Sequence, residues 1–283
     1  MIHRNGVYTE YRSSEDASQD SKSLEKDGYV VLRQVFSPAE VTELAGDIDR
    51  VFNEYPPAGR SGARSDQEDE EFRYEMLNVS AVAQRAVAHP GILNVIEPLI
   101  GEDCHVIANT AWRNEPTTAW SHGGGGWHID AGPHVPLPKD AEWPAGLPHP
   151  VFAIGTHIFL EDCNIEDGPT AVIPNSHLSG RFPPARHYHD PDLTWRGNSA
   201  VPLIAKAGDV AMFVSDIWHR RLPTGEGDQG RYFLQVHYGR RDIAQRLRPT
   251  AEINHLSEAA LARARTEREK TLVGLHNNRF YDG

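Results

Sequence analysis

The sequence predicts an α+β fold, a helical N-terminal third followed by a β part arranged as a double-sheet jelly roll. Apolar residues recur at helical spacing as far as about residue 100, and from residue 105 the chain breaks into short β-prone runs separated by Gly and Pro. No strand-helix-strand alternation is present, which argues against a parallel sheet. With 39% hydrophobic residues, including 6 Trp, 9 Tyr and 9 Phe, the 283-residue chain can fill a substantial core. Its 40 acidic side chains outnumber 28 basic ones, for a net charge of -12, and no Lys/Arg-rich block occurs. A partner reached through a phosphate backbone is therefore not expected, because such binding needs a basic face to displace counterions. No run approaches the roughly 18 apolar residues that span a bilayer, so neither nucleic acid nor membrane is an expected partner. Cys104 and Cys163 lie too far apart for a zinc ribbon and are too few for a disulfide framework, and a cytoplasmic location is expected.

The elements follow in order. Residues 1–23 are polar, lack the apolar core of a secretory signal, and read as a flexible arm before one domain over 24–283. Gly28-Tyr29-Val30-Val31-Leu32 is a short β-prone run. Ser37-Pro38-Ala39-Glu40 supplies a capping Ser, a Pro at the first helical position and a reciprocal Glu, so a helix starts there. Val41, Leu44, Ile48, Val51 and Phe52 give that helix one apolar face. Residues 53–75, acidic around 65–71, read as a solvated loop. A second helical stretch over 80–100 is interrupted at His89-Pro90-Gly91. The strand-like runs are 105–112, 152–160, 171–174, 209–214 and 232–238. Residues 256–273 read as one more helix, opened by Ser257 and closed by Gly274.

Of the 15 histidines, two groupings suit a metal. In Trp127-His128-Ile129-Asp130 a strand would project residues i and i+2 from one face, offering an imidazole and a carboxylate to the same ion. The rival, His187-Tyr188-His189-Asp190, could chelate through two imidazoles but lies in a Pro- and Arg-rich connection typical of a surface loop. The later segment decides for the first: Gly208-Asp209 turns into an apolar run that ends at His219, and Arg231 opens an alternating strand beyond it. Two His and one carboxylate on one face of an octahedral ion leave three positions open, which suits a non-haem Fe(II) oxygenase. Strand alternation places Arg231, Phe233, Gln235 and His237 together on one face. Gly123-Gly124-Gly125-Gly126 lacks the Gly-Lys-Ser/Thr ending of a phosphate loop and reads as a flexible joint.

Four motifs in order resemble the phytanoyl-CoA dioxygenase-like family of Fe(II)/2-oxoglutarate oxygenases. Lys26-Asp27-Gly28-Tyr29-Val30-Val31-Leu32 with Phe36-Ser37-Pro38-Ala39-Glu40-Val41 looks like the family's opening, and Trp127-His128-Ile129-Asp130 like its first metal motif. Residues 166–177, from Glu166-Asp167-Gly168-Pro169 to Asn175-Ser176-His177, look like its middle signature, and Gly208-Asp209 through His219 and Arg231 like its closing one. The resemblance implies a double-stranded β-helix core, cupin-like, with an outer layer of helices. It implies that His128, Asp130 and His219 bind iron and carry catalysis, and that Arg231 pairs with the distal carboxylate of 2-oxoglutarate. A guanidinium fork matches that carboxylate where a Lys would be a point charge. Asn109 and the pair Thr156-His157 stand where the family's other cosubstrate contacts lie; Asn109, polar between Ile107 and Ala111, fits a buried hydrogen bond or a plain structural role equally.

Two departures from the family pattern bear on the pocket. Arg221 stands two positions past the distal histidine, where the family often has Ser or Thr. Residues 131–150, rich in Pro and carrying His134, Trp143 and His149, form a longer connection than the family's usual one and read as a substrate lid. The implied activity is oxidation, foremost hydroxylation, of a C–H bond in a small organic molecule, coupled to conversion of 2-oxoglutarate and O2 to succinate and CO2. The carboxylate ligand Asp130 leaves no room for the halide that related halogenases bind. A secondary-metabolite tailoring role is the favoured setting. A metal-dependent hydrolase built on His187 and His189, or a non-catalytic jelly-roll binding protein, are the alternatives; neither needs a cation placed for a dicarboxylate.

Overall fold

The computed structural model describes residues 17–55, 71–116, 124–130, 132–244 and 256–276. Residues 1–16 of the expected arm, 65–70 of the acidic run, Gly123 and Ala131 lie outside them. The first helix, α1 (Gln19–Asp27), starts inside the expected arm. Ser18 caps it, Gly28 ends it at φ 85°, and Leu24 anchors it in the core. A Ser-rich turn with a single apolar residue hides this helix from a periodicity reading. Ser21 is buried as well and donates to the Val95 carbonyl at 2.9 Å. After β1 (Tyr29–Leu32), α2 (Pro38–Glu54) carries the expected capping box between Ser37 and Glu40 and buries Leu44, Ile48, Val51 and Phe52.

Residues 72–74 of the expected 53–75 loop are instead an edge strand, β2 (Phe72–Tyr74). Its placement follows from Phe72, which is buried against the Trp112 ring at 5.2 Å. The helical stretch divides as expected. Next come α3 (Met76–Val79), α4 (Ala81–Ala86) and α5 (Pro90–Ile100), with Ser80 and His89 capping the last two. The expected C-terminal helix is two short ones, α6 (Glu258–Arg263) and α7 (Glu267–Leu272). Ala264 is extended between them, and Thr266 opens the second through its own capping box with Glu269. The Thr-x-x-Glu pattern at Thr266 to Glu269 is the local signal for that second start.

The β part comprises β3 (His105–Asn114), β4 (Ala153–Phe159), β5 (Thr170–Val172), β6 (Val201–Pro202), β7 (Val210–Val214), β8 (His219–Arg221) and β9 (Arg231–Gly239). The described strands make a six-stranded sheet in the order β1-β7-β4-β9-β3-β2 and a three-stranded sheet β6-β5-β8, antiparallel throughout. This is the expected jelly roll. One face of the large sheet, with Ile154, Ile158, Met212, Leu234, Val236 and Tyr238, packs on the helices. The opposite face turns Phe159, Phe213 and Phe233 toward Val172 and Leu203 of the small sheet. Period-2 alternation thus gives every central strand one face to the helical layer and one to the barrel interior. No helix among the described residues is long and apolar enough to cross a membrane.

Candidate metal centre and cosubstrate pocket

His128 and His219 are joined by reciprocal backbone hydrogen bonds of 2.9 and 3.0 Å across an isolated bridge. The segment 127–130 is therefore not a full strand, yet Trp127 N also donates to Tyr188 O and Asp130 N to Ser215 O, which holds its extended path. One ligand atom each from His128, Asp130 and His219 lie within 4.8 Å of one another. His219 Nε2 is 3.3 Å and His128 Nε2 3.9 Å from Asp130 Oδ1. The Nδ1 atoms contact the carbonyls of Gly126 (2.8 Å) and Ile217 (3.0 Å). A carbonyl only accepts, so Nδ1 carries the proton in both rings and each Nε2 keeps its lone pair for a ligand bond. Desolvation opposes charge on Asp130, but His219, His237 and His128 hold its carboxyl well below the usual range. Two neutral-capable imidazoles and an ionised carboxylate, with no thiolate in the set, fit a divalent transition metal with open positions. Among the described residues this is the one such cluster.

From the cluster a pocket of about 130 Å³ runs between the sheets to Arg231 and Arg221. Arg231 is 6% exposed, and its Nε and Nη2 both donate to Asn114 Oδ1, at 3.1 and 2.9 Å. Burial, then Arg221, pull its guanidinium down to about 9. Among the described residues no carboxylate forms an ion pair with either arginine, and Arg221 Nε lacks a hydrogen-bond partner. Glu71 and Asp228 act on both guanidiniums only from beyond ion-pair distance, so two cations lining one pocket favour an anion there. His157 lines the same pocket, packed on the Phe233 ring (4.6 Å) and against Phe213 (5.3 Å). Burial and Arg231 push it down to about 3, so it is a neutral imidazole. A Cβ on Gly155 would come within 2.8 Å of the Phe213 ring, which in turn lies 4.9 Å from the His219 ring.

Two expected contacts are corrected. Asn109 is buried on the helical side, where its Oδ1 accepts from Leu77 N at 3.0 Å, and it lines neither cavity at the centre. The cause is a β-bulge at Ile107, which shifts the β3 register and turns Ala108, Thr110 and Trp112 to the interior. Thr156 likewise sits on the helical face of β4, its hydroxyl buried without a partner, because His157 next to it takes the interior. The glycine run is no loose joint over 124–126: a Cβ on Gly126 would lie 2.0 Å from the Tyr188 ring, and Gly125 N donates to Arg221 O. His187 pairs with Asp190 at 2.6 Å and accepts from Arg186, and no metal cluster forms there.

Residues 132–150 line neither cavity. They are strapped down by His134 on Asp216 (2.6 Å), by Arg181 on the Pro138 and Ala141 carbonyls, and by the buried His149. Sequence reasoning missed Asn114, which orients Arg231, and a second cavity lined by Trp112, Gln235 and His237. The β9 alternation had already put Gln235 and His237 beside Arg231; it assigned them no task.

The family model described as phytanoyl-CoA dioxygenase (PhyH) matches residues 24–223, well over half of the sequence. The chain belongs to the phytanoyl-CoA dioxygenase family. Among curated members similar to it, ectoine dioxygenase of Bordetella bronchiseptica is 23% identical over 186 residues, 60% of this chain and 53% of that protein. Dioxygenase andF of Emericella variicolor is 23% identical over 220 residues, 69% of this chain and 65% of that protein. The chain thus matches about half the length of its ectoine dioxygenase relative. Among solved structures, EctD from S. alaskensis with 2-oxoglutarate and 5-hydroxyectoine superposes at TM-score 0.61 and 20% identity, over 84% of this chain and 85% of that one. The epimerase SnoN in complex with Fe3+, alpha ketoglutarate and nogalamycin RO gives 0.58 at 19% identity, over 78% and 82%. At these identities the likeness is one of fold.

Proposed function

We propose that this phytanoyl-CoA dioxygenase family member is a non-haem Fe(II)/2-oxoglutarate-dependent dioxygenase that hydroxylates a C–H bond of a small natural product. The observation that carries the reading is the pair of guanidiniums, Arg231 buried and Arg221 half-buried, with no ion-paired carboxylate among the described residues, in a pocket that also holds the His128, Asp130 and His219 cluster. That spacing of cation and metal ligands suits a short dicarboxylate whose keto-acid end reaches the metal. When bound, iron and 2-oxoglutarate supply a two-electron oxidation: 2-oxoglutarate and O2 become succinate and CO2, and one oxygen atom enters the C–H bond. The protein holds the ligand imidazoles in one tautomer through Gly126 and Ile217, would clamp the distal carboxylate, and lines the reacting centre with Phe213, Phe233 and Trp112. The named fold neighbours include an epimerase, and one binds 5-hydroxyectoine. The carboxylate at Asp130 favours hydroxylation over halogenation, while the ligand set does not choose between hydroxylation and desaturation, cyclisation or demethylation. Anaerobic addition of Fe(II) and then 2-oxoglutarate tests the reading: one iron per chain and a visible charge-transfer band on cosubstrate addition are expected, followed by succinate formation on exposure to O2. A protein that binds iron yet gives neither band nor succinate overturns it.

A further inference from the structure

Beside the cosubstrate pocket, a second cavity of about 430 Å³ opens over β3 and β9 and shares Asp130, Trp112 and Gln235 with it. The size is that of a site for a compact small molecule. Ile107, Ala108, Trp112 and Ile243 make its walls apolar. Among the described residues lining it, Asp130 alone is charged, and that carboxylate belongs to the metal cluster. A carboxylate, phosphate or ammonium entering here would lose hydration with no free counter-charge among the described lining residues to replace it.

Besides the hydroxyls of Tyr74, Thr110 and Ser215, three polar side chains of the cavity, Trp112, Gln235 and His237, form a chain whose direction can be derived. Trp112 Nε1 only donates, and it donates to Gln235 Oε1 at 2.8 Å. The Gln235 amide nitrogen therefore faces His237 Nε2, at 2.9 Å, and the ring nitrogen must accept. That leaves the His237 proton on Nδ1, for which no hydrogen-bond partner exists among the described residues. The ring lines the cavity and its Nε2 stands 3.8 Å from Asp130 Oδ2. A fixed N–H donor is thus held in an apolar chamber next to the metal ligands.

We infer that this cavity takes an uncharged, largely apolar small molecule bearing a carbonyl, ether or hydroxyl oxygen, and that this oxygen accepts the Nδ1–H of His237, which sets the C–H bond presented to the metal. The inference rests on the reading of the adjoining cluster as the metal centre. It sets the cavity apart from one built for a thioester of a polyanionic carrier or for a zwitterion.

Calorimetry on the Ni(II)-loaded protein saturated with 2-oxoglutarate tests it with three probes of one skeleton, 2-adamantanone, adamantane-1-carboxylate and 1-adamantylammonium. Saturation fills the arginine pocket, so the carboxylate probe cannot report from there. The ketone should bind the wild-type protein about tenfold or more tightly than either ion, reflecting the uncompensated desolvation of a charge. His237→Phe should weaken the ketone about threefold to tenfold, the fold-change of one neutral hydrogen bond, and His237→Gln, which keeps an N–H donor, should recover part of it. An ion that binds as well as the ketone, a ketone that does not bind, or a folded His237→Phe protein with unchanged ketone affinity each overturns the inference; the charge series needs no variant. Titration of 2-oxoglutarate into the same Ni(II) protein separates the two readings. Its failure alongside selective ketone binding removes the cosubstrate and leaves the cavity, whereas normal 2-oxoglutarate binding without ketone selectivity removes the cavity proposal alone.

Discussion

Arg231 illustrates how one residue's surroundings define its task. Its fork rests on Asn114 and no carboxylate among the described residues pairs with it directly, Glu71 and Asp228 acting only from further off, so an arriving anion recovers much of the free energy of burying it. Truncating one partner of such a desolvated pair costs about 2–5 kcal/mol. Arg231→Ala should therefore raise the 2-oxoglutarate requirement roughly 30-fold or more. Lys should rescue only in part, since it keeps the charge and loses the fork that Asn114 orients. Arg221, in the same pocket, makes the double variant informative: a defect that deepens well beyond Arg231→Ala identifies a shared clamp, and a defect equal to that of Arg231→Ala assigns the contact to Arg231 alone. Iron content should be unchanged in all three. The ligand residues behave in the opposite way. Replacing His128, Asp130 or His219 by Ala removes one of three ligand groups, so bound iron and succinate formation should both collapse while the circular dichroism spectrum stays that of the folded protein. Normal iron in a folded His219→Ala protein excludes the triad.

At the scale of elements, the site depends on strand phase and on how the loops are fastened. The Ile107 bulge delivers Trp112 to the interior, and Gly155 lets β4 approach the Phe213 ring that abuts His219. Gly155→Ala forces a buried ring to move, an overpacking cost of about 1–3 kcal/mol. A lower denaturation midpoint together with weaker iron retention is expected; loss of stability with iron binding untouched would show that Phe213 yields away from His219. The strap over 132–150 is tied to the turn that precedes β8 by Asp216, which is 4% exposed and takes both the ring and the backbone N of His134. Asp216→Ala should free the segment, so trypsin should cut at Lys139 markedly faster than in the wild-type protein. Unchanged cleavage would mean that Arg181 and the buried His149 suffice to hold it.

Across the whole molecule, buried neutral histidines make the fold acid-sensitive. His177 is fully buried between α1 and the small sheet, with His149 edge-on at 5.8 Å, and burial and then His149 push it down to about 3 from 6.5. The unfolded chain therefore binds the extra proton between those values. Stability from this group is complete above about pH 6.5 and declines as pH falls toward 3, by up to roughly 1 kcal/mol per pH unit. Urea midpoints of the wild-type and His177→Gln proteins between pH 4 and 6.5 should show a shallower decline in the variant; parallel curves would remove His177 from the account. The same contrast of local and global determinants runs through the fold. The α2 capping box, the break at His89-Pro90-Gly91, the strand runs and the His128, Asp130, His219 and Arg231 pattern were all legible, because each depends on residue type and spacing within a few positions. The α1 turn and the Thr266 start were legible only weakly, since one buried Leu24 or one cap carries little periodic signal. Arg221 was legible as a departure bearing on the carboxylate end of the pocket, but Asn109 against Trp112 and Thr156 against His157 could not be read at all. Alternation along a strand says which residues share a face, but which face looks inward is decided by a single-residue bulge and by pairing with strands 74 to 134 residues away, and only the folded sheet supplies that phase.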